Sequence, residues 1–373
     1  MRRALVLGGG IAGLASAVAL ARAGWSVSVH ERASSMEPLG AALSLWPNAT
    51  AALDALGVLA SVAASGAPLR SMLVADRRGR PIIGPRAVHG PALMVTRSAL
   101  QGRLADALGT IPLHLDDTVD GVDQDRSGAV ARFADGRRVA ADLVIDAGGI
   151  WSTLAGVPGR PRPDFRGYGG VVALSDPTYG PGLNGAASEY WRTNERFGVF
   201  ELPERRRYWF YMHDQRIDQA APDHGYVSRR AIGWPRSVIE AIAATAPDRL
   251  IPFAISARPA PKALGRGRIV GVGDAAHAME PNLGQGACQA LEDAAALGAI
   301  AAHTPPDRML AAFERLRLER VRAIVRRSAE GRMGAHGPRP VQAIMRAILR
   351  AVPESLTERV ARSVHTMPKH EPV

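Results

Sequence analysis

The chain has 373 residues, 47% of them apolar and 22% charged, so it can bury a large core, and neither disorder nor a small stapled fold is needed to account for it. A single cysteine, Cys288, excludes an intramolecular disulfide framework and a cysteine-rich metal site, and points to a cytoplasmic protein. The formal charge of +11 resides almost wholly in arginine, with Lys262 and Lys369 the only lysines, and its spread reads as a compositional bias, with neither a nucleic-acid nor a membrane-binding patch expected.

Ala4 to Leu7 reads as a short apolar strand and Ile11 to Ala23 as a helix that Gly24 stops. Ser26 to His30 alternates as a second strand, completing a βαβ unit. Gly8, Gly9, Gly10 and Gly13 punctuate the apolar start too often for a signal peptide, and no run of about 18 residues is apolar enough to span a membrane. Between strand and helix lies Gly8-Gly9-Gly10-Ile11-Ala12-Gly13, a GxGxxG loop. Gly8 permits the tight turn, Gly10 lets backbone approach a pyrophosphate, Gly13 lets helix and strand pack closely, and the phosphates sit on the helix start at Ile11 and Ala12. Glu31, 23 residues after Gly8, is placed to accept hydrogen bonds from a ribose. This motif specifies a dinucleotide and does not separate FAD from NAD.

Asn48 to Leu59 is expected as a helix, with a break near Gly66 and Pro68, and Leu69 to Val95 as strands with a hairpin tip at Arg77-Arg78-Gly79. Ser98 to Leu108 is helical, and strands over Thr118 to Phe133 and Arg138 to Ile145 meet at an Asp135-Gly136 turn. Phe165 to Ile232 holds much of the aromatic content in strand-length runs, either a sheet packed on one face or the wall of a substrate pocket. Ile269 to Val272 returns to a core strand. Gln289 to Ala302 and Arg308 to Arg327 are long helices, and Val341 to Val364 is a helical region interrupted at Pro353. The arginine-rich helices after residue 305 read as solvated and amphipathic.

The cofactor is decided near residue 274. Arg268-Ile269-Val270-Gly271-Val272-Gly273-Asp274-Ala275-Ala276-His277 is a strand ending on a Gly-Asp turn, followed by Pro281-Asn282-Leu283-Gly284-Gln285-Gly286 and by Glu292-Asp293 in a helix. Asp274 can bond ribityl hydroxyls, and the N–H groups of Gly284, Gln285, Gly286 and Ala287 can meet negative charge at N1 and O2 of a reduced flavin. The cofactor is therefore expected to be FAD. His277 reads as a hydrogen-bonded structural histidine.

This pairing of distant motifs, together with Gly40-Ala41-Ala42-Leu43-Ser44-Leu45-Trp46-Pro47-Asn48-Ala49 and Val95-Thr96-Arg97-Ser98-Ala99-Leu100, resembles the class A FAD-dependent aromatic hydroxylases of the p-hydroxybenzoate hydroxylase fold, nearest the urate and salicylate hydroxylase-like branch. The resemblance implies an α/β fold: a discontinuous Rossmann-like FAD domain (1–70, 98–164, 255–335), an inserted, mostly antiparallel substrate sheet (71–97, 165–254) and a C-terminal helical region (336–373). It further implies that Arg97 and Gln101 contact the flavin's phosphate and ribityl parts, Arg32 the adenosine ribose and Val122 the adenine, with Pro281 beside the flavin ring. The activity it implies is transfer of one oxygen atom from O2, through a flavin C4a-hydroperoxide, to a small aromatic or polycyclic metabolite, with NAD(P)H as reductant. A phenolic substrate gains from a nearby base, for which His213, Tyr211 and Tyr190 are candidates, each equally a packing or surface residue.

One departure qualifies this. In the middle segment Asp142 to Ala155, Gly148 stands where the family has an acid and Ala155 where it has an arginine. Electrons from a separate flavin reductase, or oxidase, dehydrogenase or non-redox isomerase chemistry on the same scaffold, therefore remain open. Asp146, two positions earlier, is not expected to replace the missing carboxylate.

Overall fold

The computed structural model describes residues 1–36, 40–154, 156–157, 159–178 and 182–368. The strand Arg3–Leu7, apolar after Arg3, lies inside a six-stranded sheet between the parallel strands Ser26–His30 and Leu143–Asp146, with Ile269–Gly271 continuing the parallel set. Near-continuous apolar runs suit such strands, because both faces of a parallel sheet are covered. The helix Ile11–Arg22 follows the first strand and packs on the helix Gly286–Ala301. Small residues set that approach: a Cβ on Gly298 would stand 3.4 Å from that of Ala19. The strands Val119–Gln124, Ala129–Phe133 and Arg138–Ala141 form an antiparallel meander whose last turn uses Gly136 at φ 87°.

A seven-stranded sheet holds, in spatial order, Ile251–Ala257, Asp164–Leu174, Arg207–Asp214, Glu195–Glu201, Ala186–Arg192, Ser71–Asp76 and Pro81–Ala87. Only the contact of Ala186–Arg192 with Ser71–Asp76 is parallel. Period-two alternation divides it into two faces. One, with Phe197, Trp209 and Tyr211, packs against Val227, Trp234 and Val238 of the segment that contains the helices His224–Arg230 and Arg236–Ala243. The other, with Tyr168, Phe200, Phe210 and Met212, shares one apolar core with Ala4, Val6 and Leu291 of the nucleotide domain.

Three expected boundaries shift. The helix expected over 48–59 is two, Pro47–Ala55 and Leu59–Ala63, because Gly57 takes φ 72° between them. Leu93–Thr96 pairs with Ala42–Leu45 and Ala67–Pro68 in a small separate sheet, outside the substrate sheet to which 71–97 was assigned. The seven-stranded sheet runs on to Ala257, past the expected limit at 254.

The C-terminal helices Arg339–Ala351 and Glu354–His365 break at Val352-Pro353. His365 stacks on Trp46 with ring centroids 4.2 Å apart, and His336 stacks on Tyr168 at 4.4 Å with Nδ1 2.6 Å from Asp214 Oδ1. Burial lowers both imidazoles to about 4. The folded state therefore holds them neutral, whereas the unfolded chain protonates near pH 6.5. Their stabilisation is complete above about pH 6.5 and drains away toward pH 4, up to about 3 kcal/mol apiece. Urea midpoints are expected to fall between about pH 7 and about pH 5, and the double substitution His336→Phe with His365→Phe to flatten that slope.

Candidate functional site

The first glycine turn is built so tightly that only glycine fits. Gly8 has φ 118°, and a Cβ there would stand 2.4 Å from the carbonyl oxygen of Ala147; at Gly13 it would stand 1.9 Å from that of Gly8. At Gly10, by contrast, it would meet nothing within 4 Å among the described residues. The helix that follows has neither a capping side chain nor an acid in its first turn, so its first N–H groups, including those of Ile11 and Ala12, remain for an anion. Glu31 is fixed at the turn: Oε2 accepts from Gly9 N at 2.6 Å and Oε1 from Ala33 N at 2.9 Å. Gln101 reaches the same loop, Nε2 donating to the Gly9 carbonyl at 3.2 Å. Arg97 opens its helix behind the Thr96 cap, lies against Gly40, and keeps a buried Nε without a partner. Arg32 and Val122 stand apart from these bonds, Arg32 exposed and Val122 packed with the cluster of Leu5, Leu7 and Phe133.

The second motif closes on the first. Gly273 takes φ 56°, and a Cβ there would stand 2.8 Å from the Cβ of Ala12, so residues more than 250 positions apart in sequence share one surface. Asp274 is exposed at the start of the short helix Asp274–His277. The turn is held from behind: Gly273 N donates to Asp293 Oδ2 at 2.9 Å, and His277 Nε2 lies 2.6 Å from the same oxygen. His277 is buried and structural, as read. Arg317, wholly buried, donates from Nε to Asp293 Oδ1 at 2.8 Å and also pairs with Glu292. Asn48 Nδ2 and Arg320 Nε, each at 2.6 Å, and Gln289 Nε2 at 2.9 Å also donate to Glu292. Burial alone would raise both carboxyls, yet both lie below the usual carboxylate range, Glu292 through Arg317 and Arg320 and Asp293 through His277 and Arg317.

In front of this network Gly284 takes φ 61°, where a Cβ would come 2.8 Å from Ser44 Oγ and 3.0 Å from Trp46 Nε1. A Cβ on Gly286 would meet nothing within 4 Å among the described residues, and the helix it opens lacks a capping side chain and a first-turn acid. Ala287 is half-buried and Gln285 fully so, with Oε1 accepting from Asn48 and Gln289. Trp46 Nε1 and Gln285 Nε2 are buried donors without partners. Two uncapped helix starts, bare glycine backbone and unspent buried donors fit a dinucleotide that carries a flavin.

In the middle segment Asp146 is wholly buried, its Oδ1 accepting from Ser152 Oγ at 2.7 Å and Gly148 N at 3.1 Å. Arg160 and Arg258 lie in its field and both donate to the Ala275 carbonyl, at 2.7 and 3.1 Å. The strand ends at Asp146, so the carboxylate turns back into the loop: a Cβ on Gly148 would stand 3.3 Å from Asp146 Oδ1 and 3.1 Å from Ser152. Ala155 lies outside the described residues. Gly148→Asp is therefore expected to destabilise by about 1–3 kcal/mol through crowding and carboxylate repulsion, and the exchange D146G/G148D to recover part of it, as denaturation midpoints will show.

The sheet sorts its polar residues by face. Tyr190, Tyr211 and His213 occupy the helix-covered face: Tyr211 donates to Glu195 Oε1 at 2.8 Å, His213 stacks on Tyr211, and Tyr190 Oη lies 3.4 Å from Ser237 Oγ. The three base candidates thus point away from the glycine loops, a correction that follows from period-two alternation. The opposite face carries Glu189, Arg196 and Tyr208 among Phe200, Phe210 and Met212. Arg196, 2% exposed, donates from NH2 to Asn282 Oδ1 at 2.6 Å, has NH1 3.8 Å from Glu189, and keeps Nε unpartnered. Asn282 also donates to Glu280 Oε2, which accepts from Tyr168 at 2.8 Å, so the exposed Pro281 sits where the second glycine loop is tied to the sheet. Burial, and then the Glu189 carboxylate, holds the Tyr208 hydroxyl above the ordinary phenol range, which keeps it a donor. Sequence reading missed these three, whose signal is a one-residue offset along the aromatic strands.

A family profile described as an FAD binding domain matches residues 2–328. The chain is 33% identical over 339 residues to aurachin C monooxygenase/isomerase of Stigmatella aurantiaca, covering 86% of each. It is 30% identical over 347 residues to an FAD-dependent urate hydroxylase of Klebsiella pneumoniae, covering 87% of this chain and 88% of that one. Among solved structures, Klebsiella pneumoniae HpxO with FAD and uric acid superimposes with a TM-score of 0.85 at 27% identity, covering 97% of this chain and 95% of that one.

Proposed function

The chain belongs to this FAD-binding family of class A aromatic hydroxylases and is an FAD-dependent monooxygenase, and from that premise we propose that its substrate is a small nitrogen heteroaromatic with an N–H donor beside a carbonyl or hydroxyl oxygen. The row Arg196, Glu189, Tyr208 carries this reading, because it sets a cation, an acceptor and a neutral donor side by side on an otherwise apolar wall. Uric acid, bound by HpxO, is a molecule of this kind.

When bound, FAD supplies electron storage and the activation of O2. The chain does the rest. The helix starts at Ile11 and Gly286 would meet the pyrophosphate and the pyrimidine edge of the ring, Glu31 the adenosine ribose, and Asp274, Arg97 and Gln101 the ribityl and phosphate region. Phe200, Phe210 and Met212 exclude water. Arg196 and Tyr208 hold the substrate oxygen and Glu189 the N–H, and Arg196 stabilises the oxyanion formed as the Glu189 carboxylate takes the N–H proton. NAD(P)H is read as the reductant; a separate flavin reductase is the second reading, favoured by the absence of a carboxylate side chain at Gly148.

The test is to purify the yellow protein and follow NADH and NADPH oxidation, O2 uptake and incorporation of labelled oxygen with urate-like, hydroxyquinoline and simple phenolic compounds. N-methylation of a turned-over heterocycle is expected to lower kcat/KM by about a hundredfold or more, since it sets a methyl group against the Glu189 carboxylate in place of a donor. Equal turnover of the methylated compound refutes the substrate class; product without labelled oxygen refutes monooxygenation by this chain.

A further inference from the structure

The basic charge is concentrated after all: between residues 308 and 365 stand thirteen arginines against five carboxylates. Some are spent internally, as Arg317 and Arg320 are on Glu292. Arg339, Arg350, Arg359 and Arg362 are exposed on the last two helices. Those helices also expose large apolar side chains, Ile344 and Ile348 on the first at 59% and 50%, Leu356 and Val360 on the second at 51% and 50%. At about 100° per residue, Ile344 and Ile348 fall in one arc with the exposed Pro340, Ala343, Ala347 and Ala351, and Arg339 borders it. Arg359 and Arg362 border Leu356 and Val360 in the same way.

The opposite sides are anchored. Gln342 donates to Asn194 and to the Gly337 carbonyl, Arg350 reaches Asp76, and Arg320 holds the Ser363 and Val364 carbonyls. Both helices therefore have a built inner side and an outward side that is apolar with an arginine margin. A solvated helix presents charge where these present isoleucine, leucine and valine.

We propose that the two C-terminal helices lie on an anionic lipid bilayer, with Ile344, Ile348, Leu356 and Val360 entering the boundary between headgroups and acyl chains and the bordering arginines meeting lipid phosphates. Attachment is peripheral: no helix among the described residues is long and apolar enough to cross a membrane. A second copy of this chain suits the face less well, because a two-fold contact would set these arginines against their own kind. Glu358, on the second of these helices, is engaged by His89 and Arg362.

The holoenzyme is to be sedimented with vesicles of mixed phosphatidylglycerol and phosphatidylcholine and, separately, of phosphatidylcholine alone. Binding is expected to the anionic vesicles at about 0.1 M salt, with release at about 0.5 M, and to be weak on the neutral ones. I344D/I348D is expected to weaken binding about tenfold or more while flavin absorbance and turnover stay unchanged. Protein left in the supernatant with the anionic vesicles overturns the proposal. So does a dimer, seen by light scattering, that I344D/I348D converts to monomer.

Discussion

Arg317→Ala is expected to destabilise the folded protein by roughly 3–5 kcal/mol and to strip it of flavin. The guanidinium is wholly buried against two buried carboxylates, and its loss removes the one cation that bridges them, leaving Glu292 to Arg320 and Asp293 to His277. Asp293 also holds Gly273 N and His277, so the damage passes directly to the turn that presents Asp274. The pH dependence identifies the cause. In the native protein the two carboxyls titrate below their usual range, so their stabilisation is present above the unfolded carboxyl range near pH 4 and is lost as pH falls through the depressed values. In the variant burial is opposed less strongly and those groups titrate higher, so the penalty eases as pH falls. Urea unfolding at about pH 7 and about pH 5, with flavin absorbance after gel filtration, measures both effects; a penalty that does not shrink at the lower pH assigns the loss to packing alone.

Arg196→Met is expected to lower kcat/KM for the aromatic substrate by about a hundredfold while leaving FAD content unchanged, because the residue faces the proposed substrate space and meets the second glycine loop through Asn282, which keeps its bonds to Tyr168, Glu280 and the Ser328 carbonyl. Methionine keeps the apolar stem against Phe210 and Tyr168, over which the guanidinium now lies at 6.0 Å from each ring centroid, so the change removes chiefly the charge and its donors. Oxidation of the reductant without product is expected to rise, since a substrate held less firmly meets the activated oxygen less often. The corresponding change on the other face, Tyr211→Phe, is expected to leave turnover intact and cost only stability through Glu195. Equal losses from Arg196→Met and Tyr211→Phe, measured as product formed per NAD(P)H oxidised, would contradict the assignment of faces.

The pairing of Gly273 with Ala12 shows how much was legible. Each glycine turn announces itself in the sequence because its backbone excludes side chains: the Gly8 and Gly13 positions collide at 2.4 and 1.9 Å with any Cβ. The placing of Asp274 and the structural reading of His277 follow from the same local logic. The base candidates were misplaced for a physical reason. Tyr208, Tyr211 and His213 lie within one strand, and a one-residue offset decides which face each takes, but which face meets the nucleotide domain depends on Tyr168, Asn282 and the core contacts of Phe200 and Met212.

By itself the sequence determined the nucleotide-binding turns, the flavin-specific Gly-Asp segment and the order of elements, since these rest on backbone sterics and short-range periodicity. Tertiary structure alone decided the rest: that Arg317 sits between Glu292 and Asp293, that Asp146 folds back onto Gly148, and that the C-terminal arginines border an exposed apolar face. Each of these depends on packing between segments distant in the chain, where burial fixes the worth of a charge and its neighbours fix its role.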